Sequence, residues 1–159
     1  MEVTIRPLRK EDAYISVKWR NDPDVFRYTG FVHNKEILIE DELKWIEIVL
    51  NNEDEYRCAI LVDNEYIGNV YLSNIDGKEA NYHIFIGEKE YWGKGIAKQA
   101  SLLILDYAFH ELKLDRVVLR VKEQNERALH LYQSIGFKSI EEDDIWITMQ
   151  IRSNEFMVL

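Results

Sequence analysis

The apolar positions of the chain repeat with two periods, one typical of strands and the other of helices. Alternation with a period of two predicts three consecutive strands at Tyr56–Val62, 66–74 and Glu79–Ile86, joined by turns rich in Asp, Asn and Gly. Short turns of this kind join antiparallel neighbours, so the three segments predict a meander. Further short runs predict strands at 3–5, 116–121, 137–140 and 145–151.

Apolar residues spaced three and four positions apart predict helices at 10–20, at 35–50, at 98–112 and after Asn125, the last of them ended by Gly136. The strands on either side of the 98–112 helix become parallel neighbours through this crossover. The sequence therefore predicts one α/β (α+β) domain over residues 1–159. Its central mixed sheet is mostly antiparallel, with six to seven strands and about four helices.

The composition indicates which partners and which cellular compartment suit the protein. The 159 residues are 47% apolar, and 29 Asp and Glu against 20 Lys and Arg give a formal net charge of −9. This charge argues against nucleic acid or an anionic membrane as a partner and favours a cationic one. No apolar run approaches the ~20 residues of a membrane span, and no signal peptide is recognisable. With Cys58 as its one cysteine, the sequence predicts a cytoplasmic protein without disulfides.

A glycine-spaced turn at residues 92–97, between a predicted strand and a predicted helix, indicates an anion-binding site. The N–H groups at a helix start have no intrahelical partner and bind anions. Gly93 and Gly95 leave the backbone open to a phosphate, while Lys94 and Lys98 add positive charge. The dinucleotide fingerprint and the P-loop require residues that this turn lacks. We therefore expect a diphosphate-binding loop.

The turn resembles the coenzyme A loop of the GNAT superfamily of N-acetyltransferases, Gln/Arg-x-x-Gly-x-Gly/Ala, with Trp92, Gly95 and Ala97 at the motif positions. Trp92 replaces the polar residue that is usual there. Residues 125–137 match a second superfamily motif, Asn-x-x-Ala-x-x-x-Tyr-x-x-x-Gly-Phe, at all five positions. On these two motifs the chain is identified as similar to GNAT acetyltransferases.

The resemblance implies that acetyl-CoA is the acetyl donor and that its diphosphate lies on the loop. Its pantetheine arm is expected in a groove between two central parallel strands that splay apart. The residues assigned to the coenzyme are Ile84, Phe85, Ile86, Trp92, Gly93, Lys94, Gly95, Ile96, Ala97, Lys98 and Asn125. A backbone N–H of Phe85 or Ile86 is the expected stabiliser of the tetrahedral oxyanion.

Acetyl transfer to an amine needs a neutral amine, a stabilised oxyanion and a proton for the departing thiolate. The resemblance assigns that proton to Tyr132. Some relatives carry a Glu base twelve residues earlier, where this chain has Arg120, which stays protonated. His83 and Glu79 are the remaining base candidates, acting directly or through water. Since the sequence shows no metal-binding cluster, Cys–His pair or nucleophilic Ser motif, we expect direct attack of the amine and no metal.

The end of the first predicted helix indicates the acceptor side. Residues 19–23 resemble the Trp-Arg-Asn-x-Pro signature of a subgroup that holds ribosomal-protein alanine acetyltransferases and several amino-sugar acetyltransferases. The resemblance gives Trp19, Arg20 and Asn21 a role in acceptor binding, together with Tyr28 in the loop that follows. The alternative interpretation of these residues is a buried Trp followed by a helix stop.

The acceptor stays open among a nucleotide-linked amino sugar, a polyamine and a protein N-terminal amine. The acidic charge favours polyamines or basic termini, whereas the 19–23 signature favours amino sugars or ribosomal-protein-like acceptors. The alternative to an enzyme is a degenerate acyl-CoA-binding or regulatory module of the same fold. The presence of Tyr132 argues against that module, while Trp92 and Arg120 argue weakly for it. The resemblance is also compatible with a homodimer.

Overall fold

A computed structural model describes residues 1–25 and 35–156, in which seven strands form one sheet. The strands are β1 (Val3–Pro7), β2 (Tyr56–Val62), β3 (Glu65–Ser73), β4 (Glu79–Ile86), β5 (Arg116–Lys122), β6 (Lys138–Asp143) and β7 (Trp146–Arg152). Their spatial order is β1-β2-β3-β4-β5-β7-β6, and only β4 and β5 pair in parallel. The predicted mixed, mostly antiparallel sheet is confirmed.

Four α-helices accompany the sheet within these two ranges. They are α1 (Ala13–Arg20), α2 (Ile39–Leu50), α3 (Ile96–Asp106) and α4 (Glu126–Ile135). A 3-10 turn precedes α1, and α3 continues into a π-helical turn at Tyr107–Glu111. None of the described helices has the length and apolar character needed to cross a membrane.

The helices divide between the two faces of the sheet. On one face, which we call the core face, α3 and α4 pack against alternate strand residues such as Leu72, Tyr82 and Leu119. On the opposite face, which we call the outer face, α1 and α2 pack over the β1–β4 half through Trp19 and Ile46. Residues of β5, β6 and β7 take no part in this second cluster, so among the described residues α1 and α2 do not pack on their half of the outer face.

Helix α2 is shorter than its apolar pattern predicts. The prediction of helix at 35–38 is wrong, because the Asn21 side chain accepts from the Ile37 N–H (2.7 Å) and donates to the Ile37 carbonyl (3.0 Å). These two bonds occupy the Ile37 backbone groups outside a helix. The Leu38 N–H then donates to the Asp41 carboxylate (3.2 Å), which caps the helix start.

The β6–β7 hairpin also differs from its prediction. A turn is expected at residues 141–144, but β6 pairs with β7 as far as Asp143, opposite Trp146. The turn is reduced to Asp144 and Ile145, with Asp144 in the left-handed region at φ 58°. Asp tolerates this conformation better than most residues, so the chain reverses within two residues.

The central parallel pair opens into a gap. β4 and β5 pair at only three positions, and the last of these joins Asn81 and Val118. Beyond this point β4 continues along β3, while β5 continues along β7. The two strands therefore separate between residues 82–86 and 119–122, and the predicted splay is confirmed.

Candidate active site

The gap exposes one backbone edge of β4. The Gly87 N–H donates to the Ile67 carbonyl of β3 (2.8 Å). Because successive backbone groups of a strand alternate between its two edges, the N–H groups of Ile84 and Ile86 point toward the gap. The Phe85 N–H, one of the two expected oxyanion donors, points toward β3 instead, so the expectation for Phe85 is wrong. The Ile86 carbonyl lies on that same edge and accepts a hydrogen bond from the Trp92 indole (2.9 Å). This edge therefore offers N–H donors that no neighbouring strand uses.

The turn after β4 places a second set of N–H groups beside the gap. Gly93 and Gly95 adopt left-handed conformations, with φ of 74° and 78°. The first intrahelical bond of α3 runs from the Gln99 N–H to the Gly95 carbonyl (3.3 Å), so the N–H groups of residues 96–98 have no intrahelical partner. A Cβ on Gly95 would meet no atom within 4 Å, so this surface is open to a ligand. The geometry suits a diphosphate.

Helix α4 presents a phenol to the core-face side of the gap. Its start is capped as predicted, since the Asn125 side chain accepts from the Ala128 N–H (3.3 Å). The Tyr132 ring packs edge-on against Tyr82 and Phe137, with ring centroids 5.8 Å and 5.9 Å away. The Tyr132 hydroxyl has no hydrogen-bond partner in the part of the chain that the structure describes. Burial raises the pKa of Tyr132 to about 12, so the phenol keeps its proton at neutral pH.

Known proteins resemble this chain in sequence and in fold. Residues 2–138 match the acetyltransferase (GNAT) domain family. The chain is 34% identical over 137 residues to spermidine N(1)-acetyltransferase of Escherichia coli strain K12, across 85% of this chain and 72% of that protein. It is 28% identical over 136 residues to acetyltransferase PseH of Campylobacter jejuni, across 86% and 83%. The crystal structure of Vibrio cholerae spermidine N-acetyltransferase with CoA and spermine matches at TM-score 0.85 and 25% identity, over 96% of both chains.

The chain belongs to the GNAT acetyltransferase family. It is an acetyl-CoA-dependent N-acetyltransferase, which transfers an acetyl group to a primary amine. The fold class, the enzyme class and the coenzyme expected from the sequence are thereby confirmed. The loop at residues 92–98 and the gap between β4 and β5 fit that coenzyme, because they combine unpaired N–H groups with an open approach.

Trp19, which the 19–23 signature assigns to acceptor binding, is enclosed by other residues of the protein. Trp19 is 2% exposed to solvent. The centroid of its ring lies 4.8 Å from the ring centroid of Tyr66 and 6.0 Å from that of Phe85. A Cβ on Gly87 would come within 2.0 Å of the indole, and the indole N–H donates to Glu88 (3.2 Å). This enclosure favours the alternative interpretation, a buried Trp, and acceptor binding by Trp19 stays a prediction. Trp19 supports the turn that leads from β4 into the loop.

Arg20 and Asn21 also have partners within the protein. The Arg20 guanidinium contacts the buried Glu42 carboxylate (3.2 Å) and lies 4.0 Å from the Trp45 ring centroid. Asn21 holds Ile37 through both backbone groups. These contacts join the end of α1 to α2 and to the residues before it, and acceptor binding by Arg20 and Asn21 stays a prediction. Tyr28 lies outside the described residues.

Glu79 lies at the closed end of the β4–β5 pair. Its carboxylate forms an ion pair with Arg116 (2.9 Å), the residue opposite it on β5. At ~3.3 Å per residue, Glu79 is roughly 20 Å along the strand from Ile86. This separation argues against Glu79 as the general base.

His83 lies on the outer face, opposite Tyr82, as the alternation predicts. Its ring stacks on Tyr71, with centroids 4.5 Å apart, and its Nε2 is 2.9 Å from the Ser73 hydroxyl. The Arg57 guanidinium lies on the Tyr71 ring (3.8 Å). Although part of the His83 ring is open to solvent, desolvation first and the Arg57 charge second lower the pKa of His83 to about 4. The imidazole is neutral at pH 7 but is a weak base.

NMR titration of His83 is expected to give a pKa near 4 instead of the ordinary 6.5. Arg57→Met should raise this pKa, because the neighbouring positive charge disfavours the imidazolium, whereas Arg152→Met at the far end of β7 should not. The unfolded chain binds the proton at a higher pH than the folded chain does. His83 therefore makes the protein less stable as pH falls from 6.5 to about 4, and His83→Gln should reduce that loss. An unchanged His83 pKa in Arg57→Met contradicts this account.

The structure brings two further residues to the site that the sequence analysis did not select. The Tyr82 hydroxyl is hydrogen-bonded to the buried Ser101 hydroxyl, which fixes the ring that packs against Tyr132. The Arg127 Nη2 atom lies 3.8 Å from the position that a Cβ on Gly93 would take. Strand alternation marks Tyr82 as buried but not as a neighbour of Tyr132. Arg127 gives no signal beyond a charge in the first helical turn.

Proposed function

We propose that the acceptor is a polyamine, whose terminal amine attacks acetyl-CoA in the gap between β4 and β5. The main observation for this reaction site is the gap itself. On its core-face side lies the Tyr132 hydroxyl, which has no hydrogen-bond partner among the described residues, and on its other side lies the half of the outer face on which α1 and α2 do not pack. The similarity to spermidine acetyltransferases and the net charge of −9 support a cationic acceptor.

In the proposed mechanism the amine approaches from the outer face, and its lone pair attacks the thioester carbonyl carbon. The N–H of Ile86 or Ile84, at the free edge of β4, stabilises the oxyanion of the tetrahedral intermediate. When the intermediate collapses, the carbon–sulfur bond breaks and Tyr132 gives its proton to the coenzyme thiolate. Solvent accepts the proton that the amine nitrogen loses and restores the phenol.

The β5–β7 half of the outer face, on which α1 and α2 do not pack, suits a long cation with separated charges. Strand pairing places Arg120 and Lys122 of β5 nearest the gap, Trp146 of β7 in the middle, and Glu141 and Asp143 of β6 on the far side. Two strand spacings separate the β5 cations from the β6 acids, ~10 Å. A polyamine could rest its methylene chain on Trp146 and its distal ammonium against the acids, with its reacting amine at the gap.

The β5 cations also offer a substitute for a general base. Arg120 and Lys122 have no ion-pair partner in the described ranges, and they lie 4.8 Å and 5.5 Å from the Trp146 ring centroid. Positive charge near the reacting amine lowers the pKa of that amine and so favours its neutral, nucleophilic form. This role is compatible with the weak basicity of His83 and the remote position of Glu79.

A nucleotide-linked amino sugar is the second candidate acceptor, and the same residues favour it. Arg120 and Lys122 could bind a diphosphate, and Trp146 could stack on a base. The two candidates differ in which charges bind the acceptor. The β6 acids are needed by a polyamine, whereas the β5 cations are needed by a nucleotide.

An acceptor panel should give the highest kcat/KM with spermidine or spermine, compared with a basic peptide N-terminus and a nucleotide-linked amino sugar. The double variant Glu141→Gln/Asp143→Asn should raise the KM for spermidine roughly 2- to 30-fold, at ~0.2–1 kcal/mol for each exposed charge contact. The matched variant Ser139→Ala, on the same strand, should leave that KM unchanged. The assay is thiol release from acetyl-CoA.

The hypothesis of a nucleotide-linked acceptor predicts the opposite pattern of substrate preference and of KM effects. A nucleotide-linked amino sugar would then outperform spermidine, and Arg120→Gln/Lys122→Gln would raise its KM while the β6 double variant had no effect. That outcome contradicts the polyamine proposal and leaves the acetyl-transfer chemistry intact.

We further propose that residues 1–159 act as one acetyltransferase domain in the cytoplasm. The single continuous sheet supports the first part, and the buried, unpaired Cys58 is compatible with the second. The ribosomal-protein alanine acetyltransferase subgroup suggested by residues 19–23 stays a prediction, as does a homodimer.

A further inference from the structure

Three cations without acid partners surround the loop at residues 92–98, in a chain whose net charge is −9. Lys94 and Lys98 belong to the loop itself, and Arg127 reaches it from the first turn of α4. In the described ranges none of the three forms an ion pair, and the Lys94 ammonium lies 5.7 Å from the Tyr91 ring centroid. Two other cations near the β4–α3 turn are paired with acids, Lys18 with Glu88 and Lys89 with Asp22 and Asp24.

Arg127 approaches the loop at Gly93, a residue without a side chain. Its Nη2 atom lies 3.8 Å from the position that a Cβ on Gly93 would take. This exposed guanidinium has no acid partner among the described residues, so its N–H donors are available to whatever occupies the loop. Phosphate oxygens match the fork geometry of those donors.

We propose that Arg127 binds a phosphate group of the coenzyme and closes the loop from the α4 side. The proposal rests on the coenzyme position proposed above and adds a residue at a variable position of the second GNAT motif, to which the motif assigns no role. Arg127 and Tyr132 are five residues apart on α4, ~7.5 Å along its axis. One helix would thus hold both the phosphates and the proton donor for the sulfur at the other end of the coenzyme.

The test is calorimetry of coenzyme A and dephospho-coenzyme A, which lacks the 3′-phosphate, on the parent, Arg127→Gln, Arg127→Lys and Lys10→Gln. Arg127→Gln should weaken coenzyme A binding roughly 10- to 100-fold, as expected for the loss of a charge-assisted contact. Arg127→Lys should keep most of the affinity. Lys10→Gln, which removes a cation paired with Glu47 outside the loop, should stay within about two-fold of the parent.

The second ligand identifies the phosphate. If Arg127 binds the diphosphate, Arg127→Gln loses affinity for both ligands alike. If it binds the 3′-phosphate, the loss disappears with dephospho-coenzyme A. Either result supports the proposal, and coenzyme A binding by Arg127→Gln within two-fold of the parent overturns it.

A purely structural role for Arg127 is excluded with a donor that has no phosphate. The kcat/KM of S-acetylpantetheine, with any amine that the protein accepts, should be the same for the parent and Arg127→Gln. An equal loss with S-acetylpantetheine and with acetyl-CoA overturns the proposal. If no polyamine is accepted, calorimetry still decides the question, because coenzyme binding needs no acceptor.

Discussion

Tyr132→Phe is expected to lower kcat by roughly 10²–10⁴-fold, the usual contribution of general acid catalysis, and to leave the Kd for acetyl-CoA within about two-fold. The variant keeps the ring that packs against Tyr82 and Phe137 and removes only the hydroxyl. Because that hydroxyl has no partner among the described residues, its loss should leave Tm nearly unchanged. Activity and stability should therefore separate cleanly in this variant.

Three measurements on this variant check the prediction: steady-state kcat, coenzyme affinity and Tm. Tyr14→Phe is the control, since Tyr14 is 65% exposed on α1 and its hydroxyl has no described partner. It should match the parent in all three. A Tyr132→Phe kcat within threefold of the parent, ~0.65 kcal/mol, contradicts the proton-donor role. A large fall in Tm would indicate a structural role instead.

Gly95→Asp should weaken coenzyme A binding by roughly 100-fold or more. A carboxylate at this position would face the diphosphate, and like charges placed together in a binding site cost several kcal/mol, at ~1.4 kcal/mol per factor of ten. The backbone strain at φ 78° is modest for Asp, and a Cβ there meets no atom within 4 Å. The variant should therefore fold and still fail to bind.

Gly95→Asn separates charge from strain, because Asn has nearly the same shape and the same tolerance for positive φ. Calorimetry should show a much smaller loss for Gly95→Asn than for Gly95→Asp. Gly77→Asp, at another open glycine with φ 89°, should bind coenzyme A like the parent. Parent-like binding by Gly95→Asp would place the diphosphate elsewhere.

Much of the fold, including the turn after β4 and the ends of α4, could be predicted from sequence because the signals are local. The period-two pattern of β4 fixes which residues share the face of Tyr82 and which share that of His83. Both ends of α4 are marked in the sequence, by an N-cap at Asn125 and a C′ glycine at Gly136. These ends set the position of Tyr132 on the helix.

The features that could not be predicted depend on contacts between distant residues. Trp19 reaches Glu88, 69 positions along the chain, and a signature near one helix end cannot reveal that it packs on Gly87. The first turn expected for α2 is lost to Asn21, a side chain 16 positions away from Ile37. The low pKa of His83 arises from neighbours on other strands.

The central claim is that the thioester lies in the gap between β4 and β5 with its sulfur beside Tyr132. A crystal structure with coenzyme A tests it most directly. The account predicts the sulfur within hydrogen-bonding reach of the Tyr132 hydroxyl and the diphosphate on the N–H groups of residues 93–98. A coenzyme A sulfur that lies outside the gap, with the Tyr132 hydroxyl facing no part of the ligand, would contradict it.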